Sequence, residues 1–147
     1  MPNPSTAGRR HRVSDYVRWS DVDATGIICW TACPRFVEAA ETEFFRAIGY
    51  PYATLWEALD IWLPRVQLHL DYRAPAGLDD RLDIDVWVGR IGRSSVRLEF
   101  LISKDGAPVV TAYLVMVAIG RSHRRPVQVP APLRQALEPF QGAVLLS

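Results

Sequence analysis

The chain has 147 residues, a formal net charge of +1, 49% hydrophobic and 22% charged residues. That length suits one domain with a core that needs no disulfides. So even a charge balance gives no electrostatic case for nucleic acid as a partner. No apolar run approaches the roughly 20 residues that cross a bilayer, so no membrane partner is expected either.

The opening segment, MPNPSTAGRRH, is polar and lacks the apolar core of a secretory signal. Residues 1–11 are expected to form a flexible lead-in, and residues 12–147 the single domain. The expected compartment is cytoplasmic, where the two cysteines stay free. Arg12 to Trp19, rich in Val, Tyr and Trp, predicts a short strand. A turn-prone stretch from Ser20 to Gly26 follows, then a brief apolar run from Ile27 to Trp30.

A helix is predicted over Ala32 to Ile48. Thr31 can cap it through its hydroxyl, and Pro34 falls in the first turn, where a missing N–H costs little. Cys33, Phe36, Val37, Ala40, Phe44, Ala47 and Ile48 share one face at helical spacing. Arg35, Glu38, Thr42 and Arg46 lie opposite, and Gly49 stops the helix. Glu41 borders the apolar stripe. A carboxylate there ordinarily keeps its head in solvent, but it could point into a site and assist water activation.

Leu55, Trp56 and Leu59 suggest one or two helical turns between Tyr50 and Asp60. The rest alternates with the period of strands. Val66, Leu68, Leu70 and Tyr72 form one set; Leu82, Ile84, Val86 and Val88 another; Val96, Leu98 and Phe100 a third; Val109 to Ile119 is a longer apolar strand. Arg90–Arg93 and Lys104-Asp105-Gly106 supply hairpin connections. The tail from Arg121 is polar and Pro-rich, with a short helix over Leu133 to Leu137. One long helix and about five antiparallel strands make an α+β domain. The helix covers one face of such a sheet, and the other face is expected to meet a second subunit.

Val17-Arg18-Trp19-Ser20-Asp21-Val22-Asp23-Ala24-Thr25-Gly26-Ile27-Ile28 resembles the opening motif of the 4-hydroxybenzoyl-CoA thioesterase-like hot-dog proteins. Arg35-Phe36-Val37-Glu38 to Phe44-Phe45-Arg46 is similar to that family's central helix. Leu63-Pro64 to Leu70-Asp71-Tyr72, with Pro75 and Asp80, resembles its second strand and the turn after it. The resemblance implies a hot-dog fold, a sheet curled around the helix, with dimers joined edge to edge, often a homotetramer, and sites at the dimer interface. It implies a thioesterase in which Asp23 attacks the thioester carbonyl or activates water. A backbone N–H at the helix start, here that of Trp30, polarises the carbonyl. Gly26 and Ile27, inside the motif, then contact substrate. Cys29 and Cys33 stand where the family often has aromatic residues, and Pro34 is unusual so early in the helix.

The chemistry explains these residue types. A carboxylate serves as nucleophile or as general base, and unpaired N–H groups at a helix start stabilise the oxyanion. Without the resemblance, Asp23 reads as a turn or capping aspartate, and Asp21 is expected to fix the loop. The phosphates of coenzyme A call for basic residues at the mouth of the site. Arg90, Arg93, Arg121, Arg124 and Arg125 are candidates, and Ser94 and Ser95 could bond the pantetheine arm. No metal site and no cofactor are expected, coenzyme A being part of the substrate. Cys29 and Cys33 lack companion ligands, and the three histidines are scattered. The alternatives are an acyl-carrier-protein thioesterase docked by the basic 121–125 segment, and a non-catalytic acyl-CoA-binding hot-dog protein. A hot-dog dehydratase is disfavoured because no helix-start histidine accompanies the aspartate.

Overall fold

The structure, a computed structural model, describes residues 8–145. Strand β1 spans His11–Tyr16. Helix α1 spans Cys33–Ala47 and α2 Tyr52–Leu59. Strands β2 (Ile61–Trp62), β3 (Arg65–Tyr72), β4 (Arg81–Ile91), β5 (Ser95–Lys104), β6 (Ala107–Val117) and β7 (Ile119–Gly120) follow, and helix α3 spans Ala131–Leu137. Five strands form one antiparallel sheet in the order β1-β4-β5-β6-β3, and β2 pairs with β7 apart from it.

The register explains the alternation in the sequence. Ile84 opposes Ile102, Val86 opposes Phe100 and Val88 opposes Leu98. Phe100 in turn opposes Ala112, and Leu98 opposes Leu114. All of these point to the inner face, where Phe36, Val37, Ala40 and Phe44 of α1 complete the core. The sheet wrapped on one helix is the expected α+β hot-dog fold. The helix is 15 residues, about 22 Å of rise.

Local chemistry sets the departures. Thr31 does not cap α1: Ala32 occupies the N-cap position with no side-chain bond, and Pro34 lies in the first turn as expected. The helix therefore begins three residues after Trp30. Glu41 is buried rather than solvated at its head, and Phe45 is buried as well. Phe45 packs on Tyr52 of α2 at 4.8 Å between ring centres, so its burial depends on a segment outside the helix stripe. Conversely, Ala47 is exposed.

Strand β1 stops at Tyr16, short of the expected Trp19, because the Asp21 carboxylate accepts the Arg18 N–H at 2.8 Å and bends the chain into a 3-10 turn over Trp19–Asp21. Residues 1–7 of the expected lead-in lie outside the described residues. Arg9 N–H donates to Pro139 O at 3.2 Å, and Arg10 stacks on Trp87 at 3.9 Å. The outer face of the sheet also carries a cover from this chain: the Trp87 indole N–H donates to Ala143 O at 2.8 Å. Among the described residues no helix is long and apolar enough to cross a membrane.

One outer-face position has a direct consequence for stability. The Glu99 side chain is buried and accepts a hydrogen bond from Arg97 Nε at 2.5 Å. A Cβ added at Gly89 would overlap Glu99 Oε1 and Cγ. Gly89→Ala is expected to destabilise the fold by about 1–3 kcal/mol, the usual cost of overpacking. A urea titration read by tryptophan fluorescence checks it: the midpoint falls while the m-value stays constant.

Candidate active site

The Asp23 loop links β1 to α1. Its shape comes from four local bonds. Asp23 N–H donates to Ile27 O and Gly26 N–H to Asp23 O, each at 3.0 Å. Gly26 has φ +79, a left-handed conformation that glycine adopts without a Cβ penalty. Asp23 Oδ1 accepts the Thr25 N–H at 2.8 Å and the Thr25 hydroxyl at 2.5 Å. Bonds that favour the charged form lower a carboxyl pKa, and these two hold exposed Asp23 below the ordinary carboxylate range. With Asp23, Gly26, Trp19 and Leu78 line an open pocket of about 420 Å³.

Asp21 anchors the loop to the helix. It is 2% exposed. Its carboxylate takes both arms of Arg35, Nε at 2.9 Å and Nη2 at 2.6 Å. Arg35 Nη1 also reaches Asp15 at 2.9 Å, so one guanidinium ties β1, the loop and the first turn of α1. Burial pushes the Asp21 carboxyl pKa up, but the bonds from Arg35 and Arg18 N–H outweigh it and leave the value lowered. Cys29 N–H donates to Asp21 O at 2.7 Å, which carries the same anchor on to the turn before the helix.

That turn contains Trp30. Neither the Trp30 nor the Thr31 N–H donates to a backbone carbonyl among the described residues. Cys29 Sγ lies 3.2 Å from Thr31 Oγ1. Its thiol is held below its ordinary pKa first by the Thr31 hydroxyl and then by the Thr31 N–H and, more weakly, the Trp30 N–H, while the negative charge of Asp23 opposes this. Tyr72 Oη donates to Trp30 O at 2.5 Å, fixing the turn to β3. Cys33 faces inward, and burial pushes its thiol up to about 11.

Of the other expected site residues, Ile27 belongs to this loop and the rest fall elsewhere. Ile27 is exposed and bridges to Gly77. Glu41 contacts Arg65 and Tyr52. Arg90, Arg93, Ser94 and Ser95 sit at the β4–β5 turn. Asp80 and Arg81, next to the Asp23 side of the sheet through Val17 N–H to Asp80 O, lie at the opposite end of β4, about 30 Å of strand away. Within one chain, then, the structure does not bring those four residues to Asp23. Arg93 and Gly92 instead hold the α3 segment, through Val129 N–H to Arg93 O and Arg134 to Gly92 O. Arg121 is occupied by Trp56 O and the Trp62 ring. Arg124 and Arg125 are exposed.

Thr25, Arg35 and Tyr72 were not singled out from the sequence. A threonine two residues after an aspartate is the pattern of a side chain folding onto local backbone, so Thr25 had a signal. Arg35 and Tyr72 find partners far along the chain, and no local pattern marks them.

Comparisons with known proteins identify the family and the fold. A family model described as the thioesterase-like superfamily matches residues 17–137. The 1,4-dihydroxy-2-naphthoyl-CoA hydrolase of Synechococcus elongatus is 24% identical over 123 residues, 83% of this chain and 90% of that protein. The acyl-CoA thioesterase YbgC of Haemophilus influenzae is 24% identical over 120 residues, 82% of this chain and 88% of that one. The crystal structure of a 1,4-dihydroxy-2-naphthoyl-CoA thioesterase from Synechocystis superposes with a TM-score of 0.80 at 19% identity, over 88% of this chain and 96% of that one. The matched span runs from the residues that introduce the Asp21–Asp23 loop to the end of α3, and the chain belongs to the thioesterase-like superfamily.

Proposed function

We propose that this protein hydrolyses an acyl-CoA thioester to the free acid and coenzyme A, with Asp23 as the reacting carboxylate. The observation that supports this most is the short loop that carries both Asp23 and the turn at Trp30 into α1, with Asp21, held by Arg35, bonded to Cys29 N–H at 2.7 Å. A thioester carbonyl placed there has a carboxylate on its carbon and N–H donors on its oxygen. Asp23 either attacks the carbonyl carbon and expels the CoA thiolate, leaving an anhydride that water opens, or takes a proton from the water that attacks. Oxyanion donors of this kind are each worth about 3–4 kcal/mol in the transition state. The related proteins named for acyl-CoA hydrolysis favour a CoA ester over a carrier-protein substrate or a purely binding role.

The reading includes a second copy of the chain. Strand β3 is an edge of the sheet, and its Val66, Leu68 and Tyr72 are exposed. Such an edge calls for a partner. Antiparallel pairing of β3 with β3 of a second copy sets the Tyr72 end of one beside the Arg65 end of the other. In each copy the Arg65 end lies beside Met116, and Val96, which opposes Met116, adjoins the Arg90–Ser95 turn. The partner's turn then stands at the same end as this chain's Asp23, where its arginines and serines can meet the phosphates and pantetheine. No cofactor enters the reaction, and a cytoplasmic enzyme is consistent with the substrate.

The test is thiol release from a panel of aromatic, short-chain and long-chain acyl-CoAs, read with a thiol-reactive dye. The proposal expects turnover of at least one class; a panel without turnover contradicts it. The loop also predicts a pH effect. Only ionised Asp23 reacts, so kcat/KM falls on the acid side as the carboxylate protonates. Removing the Thr25 hydroxyl takes away a bond that favours the ion, which raises the pKa. Thr25→Val is expected to move the acid limb of the pH–kcat/KM profile to higher pH while leaving the plateau nearly unchanged, and an unmoved limb would show that Asp23 is not the titrating group.

A further inference from the structure

A groove runs between α1 and the edge strand β3, and side-chain hydrogen bonds mark its ends. At one end Tyr72 Oη meets Trp30 O at 2.5 Å, beside the amides that face Cys29. At the other, Arg65 Nη2 donates to Glu41 Oε1 at 2.5 Å and to the Tyr52 hydroxyl at 2.7 Å. Tyr52 Oη donates to the same Glu41 oxygen at 3.2 Å. Between the ends lies a cavity of about 250 Å³ walled by Pro34, Val37, Leu68 and Leu114. Pro34, Val37 and Glu41 recur at steps of three and four, so they share one helix face. From Cys33 to Glu41 the helix rises about 12 Å, which sets the length of the groove.

Glu41 is an unusual group to find there. It is 5% exposed, on a face otherwise apolar. Burial raises its carboxyl pKa against the pull of Arg65. Packing alone does not call for a charge pair at such a place, because apolar residues of similar volume serve stability as well or better. Both bonds that Glu41 accepts go to Oε1. Oε2 has no partner among the described residues, and the side chain lines the cavity.

We propose that the acyl group lies in this groove with its carbonyl at the Trp30 end, and that Glu41, held by Arg65 and Tyr52, selects acyl groups carrying a hydroxyl at the end remote from the thioester. This rests on the thioesterase reading above and adds the substrate class. The apolar walls take the hydrocarbon. The free Glu41 oxygen accepts the terminal O–H. A plain hydrocarbon end would strip water from that oxygen and return no bond, and a site built to bond a hydroxyl rejects the analogue that lacks one far more strongly than an apolar slot rejects a missing methylene. A terminal carboxylate is also excluded: Glu38 and Glu41 outweigh Arg65 around the cavity, so the end is net negative.

A length-matched series tests this: ω-hydroxyoctanoyl-CoA, octanoyl-CoA and the CoA monothioester of octanedioic acid. The expected kcat/KM for the hydroxyl compound exceeds that for octanoyl-CoA by about tenfold or more, with the diacid ester lowest. In Glu41→Leu the ratio of hydroxyl to plain compound falls to about one, because octanoyl-CoA gains as the hydroxyl compound loses. Equal rates for the two compounds in wild type, or equal losses for both in the variant, overturn the proposal. Should Glu41→Leu not fold, Glu41→Met puts an unbranched apolar chain at the same place; a full hydroxyl preference in that variant also overturns it. The same ratio is read without turnover as dissociation constants on Asp23→Asn protein. Absence of hydrolysis by wild type therefore strikes the thioesterase reading, whereas absence of a ratio in the dissociation constants strikes this one.

Discussion

Asp23→Asn is expected to lower kcat for the best acyl-CoA by about 10²–10⁴-fold, the range lost when a positioned acid–base group is removed, and by more if the carboxylate is a covalent nucleophile. The amide is nearly isosteric with the carboxylate, so the loss is chemical rather than steric. Its oxygen can still accept from Thr25 N–H and the Thr25 hydroxyl, as Oδ1 does now at 2.8 and 2.5 Å. The loop should keep its shape. Because Asp23 is exposed and touches no core residue, the melting temperature should stay within a degree or so, as surface changes away from special features shift stability by under about 0.5 kcal/mol. A loss in kcat with little change in KM identifies an interaction made in the transition state alone. Parallel loss of kcat and melting temperature would point to a loop aspartate with a structural role.

Arg35→Met is expected to have the largest effect on stability. The substitution removes both bonds to the Asp21 carboxylate and the bond to Asp15. Asp21 stays buried, 2% exposed, with the Arg18 N–H still donating to its carboxylate. Breaking a buried pair from one side costs about 3–5 kcal/mol. Arg35 is itself 32% exposed in its side chain, so water relieves part of this and about 3 kcal/mol is expected. For a chain of this size that is a fall of roughly 6–12 °C in melting temperature. The pH dependence has a definite sign. Asp15 and Asp21 have lowered pKa values in the folded state. Their contribution is therefore fully present above the ordinary carboxylate pKa of about 4 and is lost as pH falls through the lowered folded values. The gap between wild type and Arg35→Met should be widest at neutral pH and close in acid. Activity should also fall, since the anchor carries both the Asp23 loop and, through Asp21 O, the turn before Trp30. Arg35→Met with unchanged melting temperature and unchanged kcat would remove the anchor from the account.

How much of this was legible beforehand depends on where each partner lies. Periodicity located α1 to within a residue at each end, because Cys33, Phe36, Ala40 and Phe44 carry the stripe without help. It located the strands for the same reason, since Ile84, Val86 and Val88 meet their own kind across the sheet. The two-residue pair of β2 with β7 was missed, for Ile61–Trp62 is too short to show a period and its partner lies beyond residue 118. Val66 and Leu68 alternate like core residues but stand on an edge that this chain alone does not cover.

In the candidate site, Asp23 and the Trp30 amide are marked by a local motif and by the family resemblance. Glu41 was ambiguous because its burial depends on Arg65, 24 positions away. The Arg90–Ser95 turn was chosen for its charge, and charge says nothing about which end of a strand a turn occupies. Arg35 and Tyr72, which tie down the Asp21–Asp23 loop and the turn at Trp30, act across 14 and 42 positions, and a single sequence does not display such pairings.

The central claim is that Asp23 performs the chemistry in a site whose ligand-binding parts are separate from it. The most direct test measures two quantities on wild type and Asp23→Asn side by side: thiol release from the best acyl-CoA, and the dissociation constant of coenzyme A by calorimetry. The account predicts turnover lost by two orders of magnitude or more with the dissociation constant within about twofold of wild type. Undiminished thiol release by Asp23→Asn would contradict it.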